Sequence, residues 1–328
     1  MSFFRATATQ AESGTETGRQ GRRLLIAFAS LRERPAFSNV YFYRHDGERT
    51  GELNGSVPAQ FERADSRPSL TVDGRLCAHA SKQVGGFTPQ LNFWNRVTQQ
   101  SGGAGDLNAQ EGARIAPALS GDGKWLACCS RGHANSQGGW DIQVFSATTG
   151  AVVPTPELNT DFDEQEVTID GTGRWLAFVS NRRDGAGLSD IRGYDRQTGK
   201  PIILPGVNSP YRELNPALSA DGRWLAFVSD RPGGSGGKDI YLYDCQQHEL
   251  VPVPGLNSVA HEQSPALSPD GRFVAFVSER IRGAGERDLY LYDRQQQQLL
   301  ETPGLNSPHE DFDPALAYEQ LEESAPMK

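Results

Sequence analysis

Short runs of apolar residues recur at even intervals along the chain, each closed by a serine and followed by a glycine-rich stretch. The clearest unit reads Pro216-Ala217-Leu218-Ser219-Ala220-Asp221-Gly222-Arg223-Trp224-Leu225-Ala226-Phe227-Val228-Ser229, then a loop, then Asp239-Ile240-Tyr241-Leu242-Tyr243-Asp244. It returns from Pro117 and Pro265, and in looser form from Pro68 and Glu166. The closing serines Ser30, Ser81, Ser130, Ser180, Ser229 and Ser278 stand 49 to 51 residues apart, so six copies are present.

Each copy predicts four strands. The Pro-Ala-Leu-Ser segment is a short first strand, and Asp-Gly forms a tight hairpin because glycine accepts the positive φ such turns demand. The following run is apolar without alternation, as in a strand covered on both faces. Asp239 to Asp244 reads as the third strand, and Leu250-Val251-Pro252-Val253 ends the fourth, where proline is tolerated on an edge. Four-stranded units of about 40 to 50 residues, none able to bury its own sheet alone, predict a propeller. The expected fold is all-β: a six-bladed β-propeller of four-stranded antiparallel blades. Its ring should close through the C-terminal strand, because Leu24 to Ser30 has no first strand before it and the missing segment stands at the far end, Asp313-Pro314-Ala315-Leu316-Ala317-Tyr318. A single domain over 21–318 is expected, between polar tails 1–20 and 319–328 that read as disordered.

Composition agrees with many short strands: the 328 residues include 36 glycines and 20 prolines, above the ordinary ~12 per cent for the two together. A net charge of -9 leaves no overall basic footprint for nucleic acid. No run approaches the ~18 apolar residues of a membrane span, and the first twenty residues lack the apolar core of a secretory signal. A cytoplasmic location is expected for the sequence as written, and a periplasmic one if a signal has been removed. Cys77, Cys128, Cys129 and Cys245 have neither disulfide-framework nor zinc spacing and read as buried small hydrophobes.

The repeat, with its PALSxDGRxxAFVSxR and DIYLYD signatures, resembles the PD40 (WD40-like) repeat of the TolB family over nearly all of the chain after residue 22. The resemblance implies a propeller that binds protein or peptide partners at its channel mouth. The family's amino-terminal α/β domain and signal peptide have no counterpart here, which weighs against a periplasmic role.

Two sets of residues are candidates for function. Loops between second and third strands emerge on one face with the loops joining blades, and the former vary from blade to blade, as suits recognition. Arg34, Phe87, Arg131, His133, Trp140, Arg182, Arg183 and Arg282 lie in or beside them and would anchor an acidic or extended partner. The inter-blade loops repeat an asparagine followed five residues later by an acid: Asn159 to Glu164, Asn208 to Glu213, Asn257 to Glu262 and Asn306 to Asp311. Such an arc of oxygens would take calcium, or each acid would pair with an arginine or cap backbone amides between blades. The corresponding position Ala113 lacks the acid, so no full ring forms. Trp125, Trp175 and Trp224 share one repeat position, as do Asp141, Asp190, Asp239 and Asp288. Repetition in blade after blade marks structure, because catalysis needs a residue once.

No GxSxG nucleophile elbow between strand and helix is predicted, the string Gly233 to Gly237 falling in a glycine-rich loop of a β-hairpin, and the six histidines show no ligand spacing. No cofactor is implied apart from calcium at the arc. The expected function is a non-catalytic scaffold for a protein or peptide. The alternative is a small hydrolytic, carbohydrate-active propeller using two carboxylates of the acidic arc, about 5 to 9.5 Å apart.

Overall fold

The computed structural model describes residues 22–34, 36–58, 63–83, 85–86, 88–103, 108, 112–281 and 283–320. Blade 1 holds β1 (Arg22–Ser30), β2 (Asn39–His45) and β3 (Gly51–Ser56), and blade 2 holds β4 (Arg63–Leu70), β5 (Leu76–Gln83), β6 (Gln90–Asn95) and β7 (Gln100–Gly103). Blade 3 is β8 (Ala113–Leu119), β9 (Trp125–Arg131), β10 (Asp141–Ser146) and β11 (Val152–Val153), and blade 4 is β12 (Glu164–Ile169), β13 (Trp175–Ser180), β14 (Asp190–Asp195) and β15 (Lys200–Ile202). Blade 5 comprises β16 (Glu213–Leu218), β17 (Trp224–Ser229), β18 (Asp239–Asp244) and β19 (Glu249–Val251). Blade 6 comprises β20 (Glu262–Leu267), β21 (Phe273–Ser278), β22 (Asp288–Asp293) and β23 (Gln298–Leu300), and β24 (Asp311–Gln320) ends the described chain.

Each blade is a four-stranded antiparallel sheet, and the ring closes as the repeat required. β24 pairs with β1, setting Ile26 opposite Leu316, Leu24 opposite Tyr318 and Ser30 opposite Asp311. It runs two residues past the expected boundary, to Gln320, with Glu319 paired to Arg44 and to Arg96. The remaining tail residues lie outside the described residues. No helix among the described residues is long and apolar enough to cross a membrane.

The core sits between blades rather than within them. Every one of the hydrophobic clusters draws from two neighbouring sheets, as where Phe227 and Tyr243 of blade 5 meet Ala177 and Ile191 of blade 4. This is why the second strands are apolar without alternation, β17 and β21 being buried at every position. The repeated tryptophans pack on the next blade's hairpin: a Cβ on Gly173 would stand 2.1 Å from Cδ1 of Trp125, and Gly173 also has φ of +74°. The third-strand aspartates hold their own loops, Asp239 accepting from the N–H of Ser235 at 2.9 Å and Asp141 from the N–H of Gln137 at 3.1 Å.

The first strands are not plain strands. Each carries a bulge, at whose centre Arg67, Ala116, Glu166, Asn215, Ser264 or Asp313 adopts a φ between 47° and 52°. Five of these precede a proline, which ordinarily favours extended backbone, so each conformation costs about 1–3 kcal/mol that the surrounding ring must offset. The axial channel of ≈ 200 Å³ is lined by the residues that follow: Pro68, Pro117, Val167, Pro216, Pro265 and Pro314, with the alanines and leucines after them.

Candidate functional site

The face bearing the inter-blade loops is built on a repeated charge clamp at the start of the first strands. Glu213 begins β16 with no exposed surface. It accepts from Ser209 Oγ (2.6 Å), Ser229 Oγ (2.9 Å), the Ser209 N–H (3.0 Å) and Arg231 Nη2 (3.0 Å). Arg231 also donates to the carbonyl of Val207 and lies 5.5 Å from the Phe227 ring and 4.7 Å from the Tyr241 ring. The same device recurs as Glu262 with Ser258, Ser278 and Arg280, as Glu164 with Thr160, Ser180 and Arg182, and as Asp311 with Ser307 and Arg32. All four acids are completely buried.

The arc of Glu164, Glu213, Glu262 and Asp311, the calcium candidate of the sequence, is thus engaged acid by acid within the seams. Each acid is spent on an arginine and a hydroxyl of its own seam, and among the described residues no three His, Cys, Asp or Glu side chains gather to hold a metal. The preceding asparagines brace the loops: the Asn208 side chain accepts from the N–H of Ile191 and donates to its carbonyl, at 2.8 and 2.9 Å.

Register corrects the count of acids. Asp65 stands opposite Ser81 in blade 2, where the others stand opposite their serines. In blade 3 the residue opposite Ser130 is Arg114, one place beyond Ala113. Neither blade has the clamp arginine, its place falling to Gln83 and Gly132. Asp65 Oδ1 and Ser81 Oγ are buried without hydrogen-bond partners, and His79 Nε2 lies 3.8 Å from that oxygen. Arg114 is 2% exposed, and burial holds its guanidinium below its ordinary pKa.

The partner-anchoring candidates divide accordingly. Arg182 is a clamp residue, held by Glu164 and the carbonyl of Leu158, and is not free to anchor a partner. Arg131 is exposed and lies 5.4 Å from the ring of Trp140, which is half-buried against the blade 3–4 core. His133 Nε2 is 3.3 Å from Asp141 Oδ2, and burial pulls its pKa below the ordinary histidine value. Arg183 is exposed, 6.0 Å from the Phe162 ring, and Arg34 is half-buried. Phe87 and Arg282 lie outside the described residues.

Sequence reasoning missed two features of this face. The first is the set of bulge residues at the channel mouth: Glu166 Oε2 accepts from the N–H of Asn215 at 2.7 Å, and Asp313 Oδ2 accepts from the N–H of Arg67 at 3.2 Å. Burial raises the Asp313 pKa despite Arg67 and Arg287 nearby. The second is a set of exposed apolar tips: Leu188 (67%), Tyr211 (44%), Val259 (88%) and Ile281 (91%). Their signal was present, since an isoleucine set between Arg280 and Arg282 breaks the polar habit of hairpin tips.

This architecture defines a six-bladed propeller of TolB-like fold. Among solved structures the chain is similar to TolB from Acinetobacter baumannii, with a TM-score of 0.63 and 21% identity over 90% of this chain and 66% of that one. It is similar too to a putative TolB from Agrobacterium tumefaciens, with a TM-score of 0.54 and 16% identity over 92% of this chain and 99% of that one. A chain of a nidogen/laminin complex matches with a TM-score of 0.55 and 12% identity, over 90% and 98% of the two chains. These likenesses concern the fold. No protein-family model matches the sequence, and no curated protein matches it.

Proposed function

We propose that the chain is a binding propeller that holds a protein or peptide partner on the inter-blade loop face, around the channel mouth. The observation that carries this reading is the set of apolar side chains exposed there, with Val259 and Ile281 open to solvent over most of their surface. Exposed apolar groups gathered on one face mark interaction surfaces. The regular parts of that face are already engaged in clamps, whereas its tips vary, which is how a repetitive scaffold acquires specificity. A nidogen/laminin complex with the same fold supports the reading by analogy. The hydrolytic alternative drew on the acidic arc, and those carboxylates are tied to arginines.

A photo-crosslinking amino acid placed at Ile281 should capture a discrete partner in the native cell, while one at Val97, in the β6–β7 turn on the opposite face, should not. Equal adducts from both faces, or none from either, would overturn the proposal.

A further inference from the structure

Resting on that binding role, we infer that the partner docks over blades 4 to 6 only, as an extended apolar segment carrying a lysine or arginine that points into the channel mouth. The loop-face apolar tips are unevenly distributed. Leu188 and Ile281 stand in the β13–β14 and β21–β22 loops, and Tyr211 and Val259 in the loops before β16 and β20. Among the described residues, the large exposed apolar side chains of blades 1 to 3 (Leu53, Val72, Val97 and Val152) lie in outer strands or in turns of the opposite face.

The tips stand on braced backbone. Ser189 bridges to Arg212, and Gly187 approaches so closely that a Cβ there would meet the carbonyl oxygen of Tyr211 at 1.9 Å, so Leu188 and Tyr211 are held side by side. Lys238 bridges to His261 in the same way, behind Val259. A surface held in this manner loses little entropy on binding, which favours affinity.

Charge selects the segment. The mouth beside this half carries Glu166 from blade 4 and Asp313 from blade 1, with the uncharged Asn215 and Ser264 between them on blades 5 and 6. The bulge cation at the same level, Arg67, belongs to blade 2, and Arg287 of blade 6, which also lies near Asp313, is paired with Glu310. Both carboxylates are fixed by backbone N–H groups of the next blade. An acidic side chain would meet like charge there, and a basic one finds complementary charge above an apolar throat.

The test pans a phage library of random twelve-residue peptides against the full chain and measures the selected peptides by fluorescence anisotropy. The inference expects peptides rich in Leu, Ile or Phe with at least one Lys or Arg. Val259→Ser with Ile281→Ser should weaken binding about tenfold or more, and Arg131→Ala on blade 3 should change it less than about twofold. Glu166→Gln keeps an acceptor for the Asn215 N–H and should cost about tenfold, the scale of one charged hydrogen bond. That loss should vanish when the peptide's lysine is replaced by norleucine. Acidic peptides, or binding that responds to Arg131→Ala and ignores the blade 6 changes, would overturn the inference while leaving loop-face binding in place. A library that yields no binder would overturn both.

Discussion

Blades 5 and 3 fold the same four strands around the same channel, yet they settle the charge at the head of the first strand in opposite ways. In blade 5 an acid, Glu213, is met by Arg231, and the guanidinium is packed against Phe227 and Tyr241. In blade 3 the acid position holds Arg114, the arginine position Gly132, and the two aromatic positions Cys128 and Gln143. Blade 2 lies between these extremes: it keeps the acid as Asp65 but has Gln83, His79 and Asn92 in the other places. The arginine and the ring beneath it are lost together in blades 2 and 3, because a guanidinium with neither a ring to cover it nor a carboxylate to meet it gains little from the seam. A buried carboxylate gains most where a charge partner and hydrogen bonds meet it, and the guanidinium's flat faces gain from rings to rest on. Two of the six blades thus hold their seams without this device, and apolar packing carries that share.

The largest expected effect comes from removing a clamp with its strand. Deleting residues 311–328 takes away Asp311, the partner of Arg32, together with the strand that covers β1. The ring should open, with a loss of more than about 5 kcal/mol. At ~2–4 °C per kcal/mol that is a fall in thermal midpoint beyond about 10 °C. An unchanged melting curve would refute closure through β24.

A finer cut separates the two kinds of blade directly. Glu213→Ala leaves Arg231, whose side chain is 14% exposed, without its carboxylate. A cost of about 3–5 kcal/mol is expected in urea unfolding. Asp65→Ala removes an equally buried acid that has no arginine to strand, and should cost about 1 kcal/mol. Equal losses at the two sites would mean that the clamp arginines contribute nothing beyond the packing of the acid.

The architecture was legible in the sequence because every blade faces the same physical problem and answers it with the same residues, so register and closure could be read from Ser30 to Ser278 and from Pro314 to Tyr318. The bulges were not, since nothing in a Ser264-Pro265 or Asp313-Pro314 pair announces a left-handed residue before proline. The acids were found by spacing but left between a cation and an arginine partner, because spacing along the chain does not say which way a neighbouring arginine points. The needed signal lay in the comparison between blades: Ser-x-Arg occurs with Glu164, Glu213, Glu262 and Asp311, and is missing from blades 2 and 3. The apolar tips escaped notice because each is a single residue, and only the ring brings them onto one half of a face.

A third prediction concerns the boundary between the clamped and unclamped blades, where Asp313 of blade 1 accepts from the Arg67 N–H of blade 2. Burial holds this carboxyl above the ordinary range, against the pull of Arg67 and Arg287. The native state therefore binds the proton more tightly than the unfolded chain does. The linked stability is fully present below the unfolded carboxylate value of ~3.9 and is lost as pH rises through the raised native value. Asp313→Asn keeps the acceptor without the charge, so it should unfold later than the parent at pH 7 and match it below about pH 4. A variant less stable than the parent at neutral pH would show that the ionised carboxylate favours the fold.

The smallest effect tests whether a missing part can be restored. Arg196 donates to the carbonyl of Gly173 and lies 3.6 Å from the Trp125 ring of the preceding blade, and Arg294 does the same with Gly271 and Trp224, at 3.8 Å. In blade 5 that position is Cys245, whose backbone N–H bonds the carbonyl of Arg223 just as those of Arg196 and Arg294 bond Arg174 and Arg272. Burial pushes the Cys245 thiol up to about 12, so it stays protonated and supplies neither charge nor a strong donor to this seam. Cys245→Arg would place a guanidinium over Trp175 and within reach of the Gly222 carbonyl. A gain of about 0.5–1 kcal/mol is expected, read as a higher urea midpoint with an unchanged slope. A loss instead would mean that the blade 4–5 seam has closed around the smaller side chain, so that the seams are not interchangeable even where their backbones superimpose in pattern.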